Sequence, residues 1–242
     1  MTLLTCEGVT KRFGGVVALD DARLEVSAGE IVGLVGPNGS GKTTLLSCIA
    51  GSLQVTAGSI SFDDADITRS APHHRAHVGI SRTFQVPKPL GSFTVVENVA
   101  TSCMFGRDRL ARTDALERGR DVLETVGLGA HADAGVDTLT LHERKFLEIA
   151  RALALDPKLI LLDEVLGGLN PSEAEEGMSL IASLRDAGVA VVYIEHNVRA
   201  VATLADRMYV LNQGRNLADG VPSEVLADER VVAAYLGGEV DA

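Results

Sequence analysis

Tryptophan is missing from this 242-residue chain, and aromatic residues make up only 4% of it. A core without large rings has to be aliphatic, as in a parallel sheet covered by helices. Cysteine is scarce: Cys6, Cys48 and Cys103 show no C-x-x-C pairing. That spacing offers no disulfide framework and no cysteine metal site, and it fits a reducing compartment. Basic residues are outnumbered, with 22 Lys and Arg against 33 Asp and Glu and a formal net charge of -11. This balance argues against bulk binding to nucleic acid, although a local basic patch stays possible. No apolar run reaches the roughly 18 residues of a membrane span. The start, "MTLLTCEGVTKRFGG", lacks the basic and apolar regions of a signal peptide. If the protein works at a membrane, another chain brings it there.

Apolar residues make up 46%, enough for a large core and too many for a disordered chain. The length suits one domain with an inserted lobe. Short apolar runs read as buried strands: "EIVGLVG" at 30–36, "LILLDE" at 159–164, "VAVVYIEH" at 189–196 and "RMYVLNQGR" at 207–215. Helical patterns lie between them. "KTTLLSCIAG" follows the first run, and "PSEAEEGMSLIASLRDAG" precedes the third. Such alternation predicts an α/β parallel sheet. The N-terminal "LTCEGVTKRFGGVVALDDARLEVSAG" and "GSISFDDADI" alternate like antiparallel strands and predict a small side sheet. Residues 87–154 carry several helical patterns and few strand signals, so they predict a helical lobe inserted in a core formed by 1–86 and 155–242.

"GPNGSGKTT" at 36–44 fits G-x-x-x-x-G-K-[ST] between a strand and a helix. Gly36, Gly39 and Gly41 let the backbone of Pro37, Asn38 and Ser40 curl until several N–H groups face one anion. The following helix adds its positive end. Lys42 is expected to reach the β- and γ-phosphates, and Thr43, followed by Thr44, to place its hydroxyl on Mg²⁺. "LILLDE" delivers Asp163 and Glu164 at a strand's C-terminal end, beside the phosphate loop if the two strands are parallel neighbours. Asp163 would hold Mg²⁺ through water, and Glu164 would polarise the attacking water. A further strand ends in His196, whose neutral imidazole could hold that water in line, although a lone His at a strand end is more often structural.

In this order the motifs resemble the nucleotide-binding subunits of ABC transporters, over nearly the whole chain. The fold so implied is a P-loop NTPase, RecA-like parallel-sheet core with an N-terminal antiparallel β subdomain and an inserted helical subdomain. The resemblance implies ATP and Mg²⁺ as ligands. It implies that Phe13 stacks on adenine, that Gln85 in "SRTFQVPKPL" touches Mg²⁺ and the attacking water, and that His196 is the switch histidine. "GGLN" at 167–170 matches the D-loop, with Asn170 where many members carry Asp. Within the family, "RTFQ", "TVVENV", "LEIARAL", "GLNPSE", "IEHNV" and the ending "DERVVAAYLGGE" are similar to the ATP-binding subunits of branched-chain amino-acid importers. In such subunits the ending, here about 222–242, is a helical extension. That likeness implies a second ATP-binding subunit, transmembrane permease subunits, a solute-binding protein acting indirectly, and the cytoplasmic face of the membrane. Related subunits serve urea, amides and other small organic acids, so the solute stays open.

One motif departs. Where the family carries an LSGGQ-like signature, this chain has Leu139, Thr140, Leu141, His142 and Glu143. In the family that segment reaches across a dimer interface to the partner's γ-phosphate. Side chains at Leu141 and His142 in place of glycines are expected to crowd the approach. Glu143 is expected to bring negative charge, repelling phosphate by about 1 kcal/mol in water and several at low dielectric. T-x-x-E is also a capping box, which makes a good helix start by itself. Phe146, Leu147, Ala150, Leu153 and Ala154 then form its buried stripe, and Arg144 and Lys145 read as solvated. Full phosphate-loop motifs beside "LTLHE" imply a heterodimer with one impaired ATP site. The alternatives are a regulatory subunit that binds ATP with little turnover, or a non-transport ABC ATPase.

Overall fold

Two paired strands open the chain, β1 (Thr2–Phe13), which buries Leu3, Leu4, Cys6 and Val9, and β2 (Val16–Ser27), which buries Leu19, Ala22, Leu24 and Val26, turning through Gly14 and Gly15. β3 (Ile31–Val35) and α1 (Lys42–Ile49) follow, then β4 (Ala57–Phe62) and β5 (Ala65–Asp66). The computed structural model describes residues 1–84, 86–195 and 197–236; Gln85 and His196 lie outside the described residues. β1, β2, β4 and β5 form the antiparallel sheet expected from the sequence, in the order β2-β1-β4-β5.

The rest of the chain alternates strand and helix. α2 (Pro72–Val78) and β6 (Ile80–Arg82) lead to three successive helices, α3 (Val95–Phe105), α4 (Arg112–Thr125) and α5 (Leu141–Leu153). Then come β7 (Leu159–Asp163), α6 (Pro171–Asp186), β8 (Ala190–Ile194) and α7 (Val198–Leu204). β9 (Arg207–Asn212) and β10 (Arg215–Gly220) make a hairpin, followed by α8 (Pro222–Ala227) and α9 (Glu229–Leu236). The second sheet runs β10-β9-β3-β8-β7-β6 and is parallel except for β10.

Its central strands are buried on both faces. Ile31 and Val35 of β3, Ile160 and Leu162 of β7, and Val191 and Tyr193 of β8 pack toward the helices. Val32, Leu34, Leu159, Leu161, Val192 and Ile194 pack toward α1 and the antiparallel sheet. Each such Val, Leu or Ile contributes about 1.5–3 kcal/mol on burial, which is why these runs are continuously apolar rather than alternating. Among the described residues, no helix is long and apolar enough to cross a membrane.

Two strands escape the sequence reading. β6 is too short to show a period, and β10, "RNLADG", is polar because it lies at the sheet edge. One placement is corrected. β7 is not the neighbour of β3, because β8 lies between them and pairs with both. The carboxylates of β7 therefore stand one strand away from the phosphate loop, and the strand leading to His196 fills the gap.

Candidate nucleotide site

The strands end level with one another. Asp163 pairs with Ile194 and Val35 with Val210, so Gly36, Glu164 and Glu195 all leave the same C-terminal edge of the sheet. Ligands bind at such edges in open α/β sheets.

Residues 36–41 curl there as expected. Gly36 has φ 146° and Gly41, at the N-cap of α1, has φ 105°, both in the left-handed region. A Cβ on Gly36 would be driven into the Leu211 carbonyl, and one on Gly41 would lie 2.7 Å from the Ala18 carbonyl oxygen. Only glycine fits both the torsion and the space. A Gly41→Ala chain is expected to lose about 1–3 kcal/mol of stability through this strain. In thermal melts, the rise in Tm that ATP gives the parent chain is expected to shrink toward zero. An undiminished rise would refute this role for the loop.

Lys42 is buried and folds over the loop, its Nζ donating to the carbonyls of Gly36 (2.7 Å) and Pro37 (3.0 Å). Burial pulls its pKa below the usual range, and the charges of Glu164 and Asp163 oppose that shift. Both carboxylates are therefore within electrostatic reach of Lys42. Ser40 is buried, its N–H donating to Pro37 and its carbonyl accepting from Gly214 (2.9 Å). Asn38, Gly39 and Thr43 are exposed and Thr44 half-buried, at the mouth of the loop and the first turn of α1. Phe13 is exposed at the end of β1, with Lys11 Nζ 5.0 Å from its ring centroid, so it can offer a ring to a flat base.

Asp163 is buried and accepts from Arg82 at 2.9 Å through Oδ2; Oδ1 is buried without a hydrogen bond. Arg82 also donates to Ser47 of α1 at 2.8 Å, joining three elements at one guanidinium. Glu164 has a left-handed backbone, φ 54°, and its N–H donates to Ile194. Gln85 and His196, expected to complete the site, lie outside the described residues.

The capping box of α5 is present. Thr140 Oγ1 accepts from Glu143 N–H at 3.3 Å, and Glu143 Oε2 accepts from Thr140 N–H at 2.7 Å. That backbone bond first, and the Thr140 hydroxyl and two histidines after it, hold Glu143 below the usual carboxylate range. Glu143 is also 3.0 Å from His131 Nε2, so its charge is turned back into its own chain rather than outward as expected. His142 departs from expectation in the same way. Its ring packs on Phe146, 4.3 Å between centroids, and its Nε2 lies 3.7 Å from Glu176. Leu141 alone of the two glycine replacements stays exposed. The apolar stripe of α5 is as expected, with Leu153 only partly buried.

Arg144 and Lys145 are not solvated as expected. Arg144 donates to the carbonyls of Leu139 and Asp137, and Lys145 is buried. The sequence offers one faint signal for Lys145. It falls on the same helical face as Glu148 and Ala152, which are also buried. Arg82 has no such signal, because its strand is too short to reveal a facing.

A depression of about 1010 Å³ lies between the antiparallel sheet and the β9–β10 hairpin, among residues such as Glu7, Asp21, Arg23 and Asp219. The phosphate loop is not among its walls, and its arginines pair with nearby carboxylates, Arg23 with Asp21 and Arg215 with Asp20.

A phosphate loop on a parallel sheet, two carboxylates at the same edge and an antiparallel sheet beside it define an ATP-binding cassette. Residues 19–167 match the ABC transporter model, and residues 215–241 match a branched-chain amino acid ATP-binding cassette transporter model. The chain belongs to the ABC transporter family, as an ATPase subunit. It is 37% identical to the high-affinity branched-chain amino acid transport ATP-binding protein LivG of Escherichia coli, over 97% of this chain and 98% of that one. Identity is also 37%, over 98% of both chains, to the lipopolysaccharide export system ATP-binding protein LptB of the same species. Among solved structures, the ADP conformation of an ATP-binding cassette of an ABC transporter superposes with a TM-score of 0.88. It shares 32% identity and covers 98% of this chain and 99% of its own.

Proposed function

We propose that this chain hydrolyses Mg²⁺-bound ATP to drive import of a branched-chain amino acid, or a similar small polar solute, through separate membrane subunits. It would act at the cytoplasmic face of the membrane. The observation that carries the solute class is the match of residues 215–241, since overall identity is the same to an export relative. Reconstituted with its membrane subunits in vesicles, the chain is expected to take up labelled leucine when ATP is supplied. ATPase stimulation by lipopolysaccharide, without leucine uptake, would overturn the solute reading.

In this reading Phe13 stacks on adenine, and the backbone of residues 36–41 with Lys42 and Thr44 cradles the phosphates. The donor set fits Mg²⁺: Thr43 offers a hydroxyl, and Asp163 keeps one buried oxygen without a hydrogen bond. Gln85 would complete the metal's surroundings. When bound, the ion adds positive charge at the phosphate oxygens. Lys42 leaves the carbonyls of Gly36 and Pro37 to donate to phosphate. Glu164 accepts a proton from the attacking water, and His196 holds that water in line.

In this reading residues 87–154 are the lobe that links this site to the membrane subunits, between the core segments 1–86 and 155–242, and about 222–242 are the C-terminal extension, of which 237–242 lie outside the described residues. Exposed Val86, Leu90, Phe93 and Phe105 support placing the permease contact at 86–105, because such apolar patches mark interaction sites.

The partner is a second ATP-binding subunit with an intact signature. Leu141, exposed at the N-terminus of α5, supports an impaired site at the partner's phosphate loop. A subunit that holds nucleotide with little turnover is the second reading, favoured by the same residue. Steady-state ATPase of the chain alone, and mixed with the candidate partner, separates these. Low activity alone and strong activation by the partner is the expected result. Full cooperative turnover by the purified chain would rule out the heterodimer.

A further inference from the structure

A buried ammonium under the loop that follows β7 has no part in the chemistry described so far. Lys145 stands one turn inside α5 and is 8% exposed. Its Nζ donates to the carbonyl of Gly167, and at 3.4 Å to that of Glu164. Burial lowers its pKa, and the charges of Glu195 and Glu164 oppose that shift. Glu195, also buried, accepts the N–H of Leu166 in the same loop through Oε1 at 2.7 Å.

The loop so gripped begins with strain. Glu164 holds φ 54°, a conformation that strains a side-chain-bearing residue and persists only where its surroundings enforce it. Several of those surroundings are identifiable here. The Glu164 N–H donates to Ile194 at 3.0 Å, and its carbonyl accepts from Gly167 N–H (3.4 Å) and from Lys145. The second half of the loop is fixed by Leu169 N–H on Leu166 and by the capping box of Asn170 with Glu173. Burying an ammonium is costly unless it is paired and hydrogen-bonded. A leucine or methionine would fill this place on α5 without that cost, and neither could bond two carbonyls of the turn.

We infer that Lys145 and Glu195 are positioning residues for Glu164. From α5 and from the end of β8, they lock the loop at 164–169 in the strained turn from which the Glu164 carboxylate meets the nucleotide. Lys145 sits on the helix that begins with the signature segment. The lock therefore ties this chain's glutamate to the position of the element that faces the partner's nucleotide. The inference rests on the proposed role of Glu164 in hydrolysis.

The test uses the full chain with the subunits that support its turnover, and compares Lys145→Met, Lys145→Arg, Glu195→Met and Glu164→Gln. Lys145→Met is expected to lower kcat about tenfold or more, since displacements of an ångström cost up to 10²-fold. The KM for ATP and the Kd of a fluorescent ADP analogue are expected to stay within about twofold. Hydrogen exchange should rise in peptides covering 164–169 and not in the strands. Lys145→Arg, which keeps the cation and the donors, should recover most of the rate. If Lys145→Met does not fold, Glu195→Met, which cannot accept the Leu166 N–H, decides, with an expected kcat loss of about threefold or more at constant KM.

Unchanged kcat in the deciding variant overturns the inference. A rate loss matched by lost nucleotide binding or by general exchange also overturns it, because that is a merely structural effect. Full turnover by Glu164→Gln would instead sink the proposed role of the glutamate itself.

Discussion

A Glu164→Gln chain is expected to bind ATP like the parent and to turn it over about 10²–10⁴-fold more slowly, the usual range for losing a positioned general base. Gln keeps the size of Glu and one acceptor oxygen, but it cannot take a proton from water at neutral pH. The substitution should not disturb the fold. The Glu164 backbone contributes contacts that the substitution leaves in place, its N–H on Ile194 and its carbonyl near Lys145. Its carboxylate lies within electrostatic reach of Lys42, so neutralising it slightly favours an anion at the phosphate loop. Affinity for ATP should therefore hold or rise while kcat collapses, the signature of an interaction made only in the transition state. Equilibrium binding of a fluorescent ATP analogue and single-turnover phosphate release measure the two halves separately. Retention of more than a tenth of the parent rate would remove Glu164 from the role of base.

The second large effect is on stability, far from the carboxylates. Arg75 is the largest fully buried side chain, 1% exposed. Its guanidinium makes four backbone bonds, to Cys48 (2.6 Å), Ile49 (2.7 Å), Thr68 (3.0 Å) and Ser70 (3.1 Å). Cys48 and Ile49 end α1, so Arg75 bonds the last carbonyls at the negative pole of the helix whose other end carries the phosphate loop, that of Cys48 being shared with the Gly51 N–H. Arg75→Met conserves bulk and removes four bonds, leaving the Cys48 carbonyl only the Gly51 N–H. Each such bond to a charged group contributes about 1.5–3 kcal/mol, and the losses are not additive. A net loss of about 3–5 kcal/mol is expected, a large share of the 5–15 kcal/mol of a typical domain.

Denaturant titration should show a lower midpoint at an unchanged slope. Arg75→Lys should fall between the two, because a point charge on a flexible stem cannot span four acceptors in a fixed fork. A loss below about 1 kcal/mol for Arg75→Met would mean that water replaces the guanidinium there.

Much of the site was legible along the chain because its chemistry is local. A phosphate loop is one continuous turn, so "GPNGSGKTT" fixes which backbone groups face the anion and which helix follows. The central strands were legible because burial on both faces forces an unbroken apolar run. Arg82 and Lys145 were not. Each gains its role from a strand or loop distant in sequence, Asp163 for the first and residues 164–167 for the second.

The signature segment divides between the two sources of information. "LTLHE" by itself determined a capped helix start, since Thr140 and Glu143 need only each other across three residues. Where the replaced side chains go was decided by tertiary packing. Phe146 and Glu176 draw His142 inward, His131 draws Glu143, and Leu141 is left outside. The same division holds for the fold. Continuous apolar runs determined which segments are the buried central strands, and left β6 and β10 unread. The insertion of β8 between the phosphate-loop strand and the carboxylate strand was decided only when both faces of the sheet had to be covered at once, because strand order depends on how crossovers pack and leaves no mark in the period of any one strand.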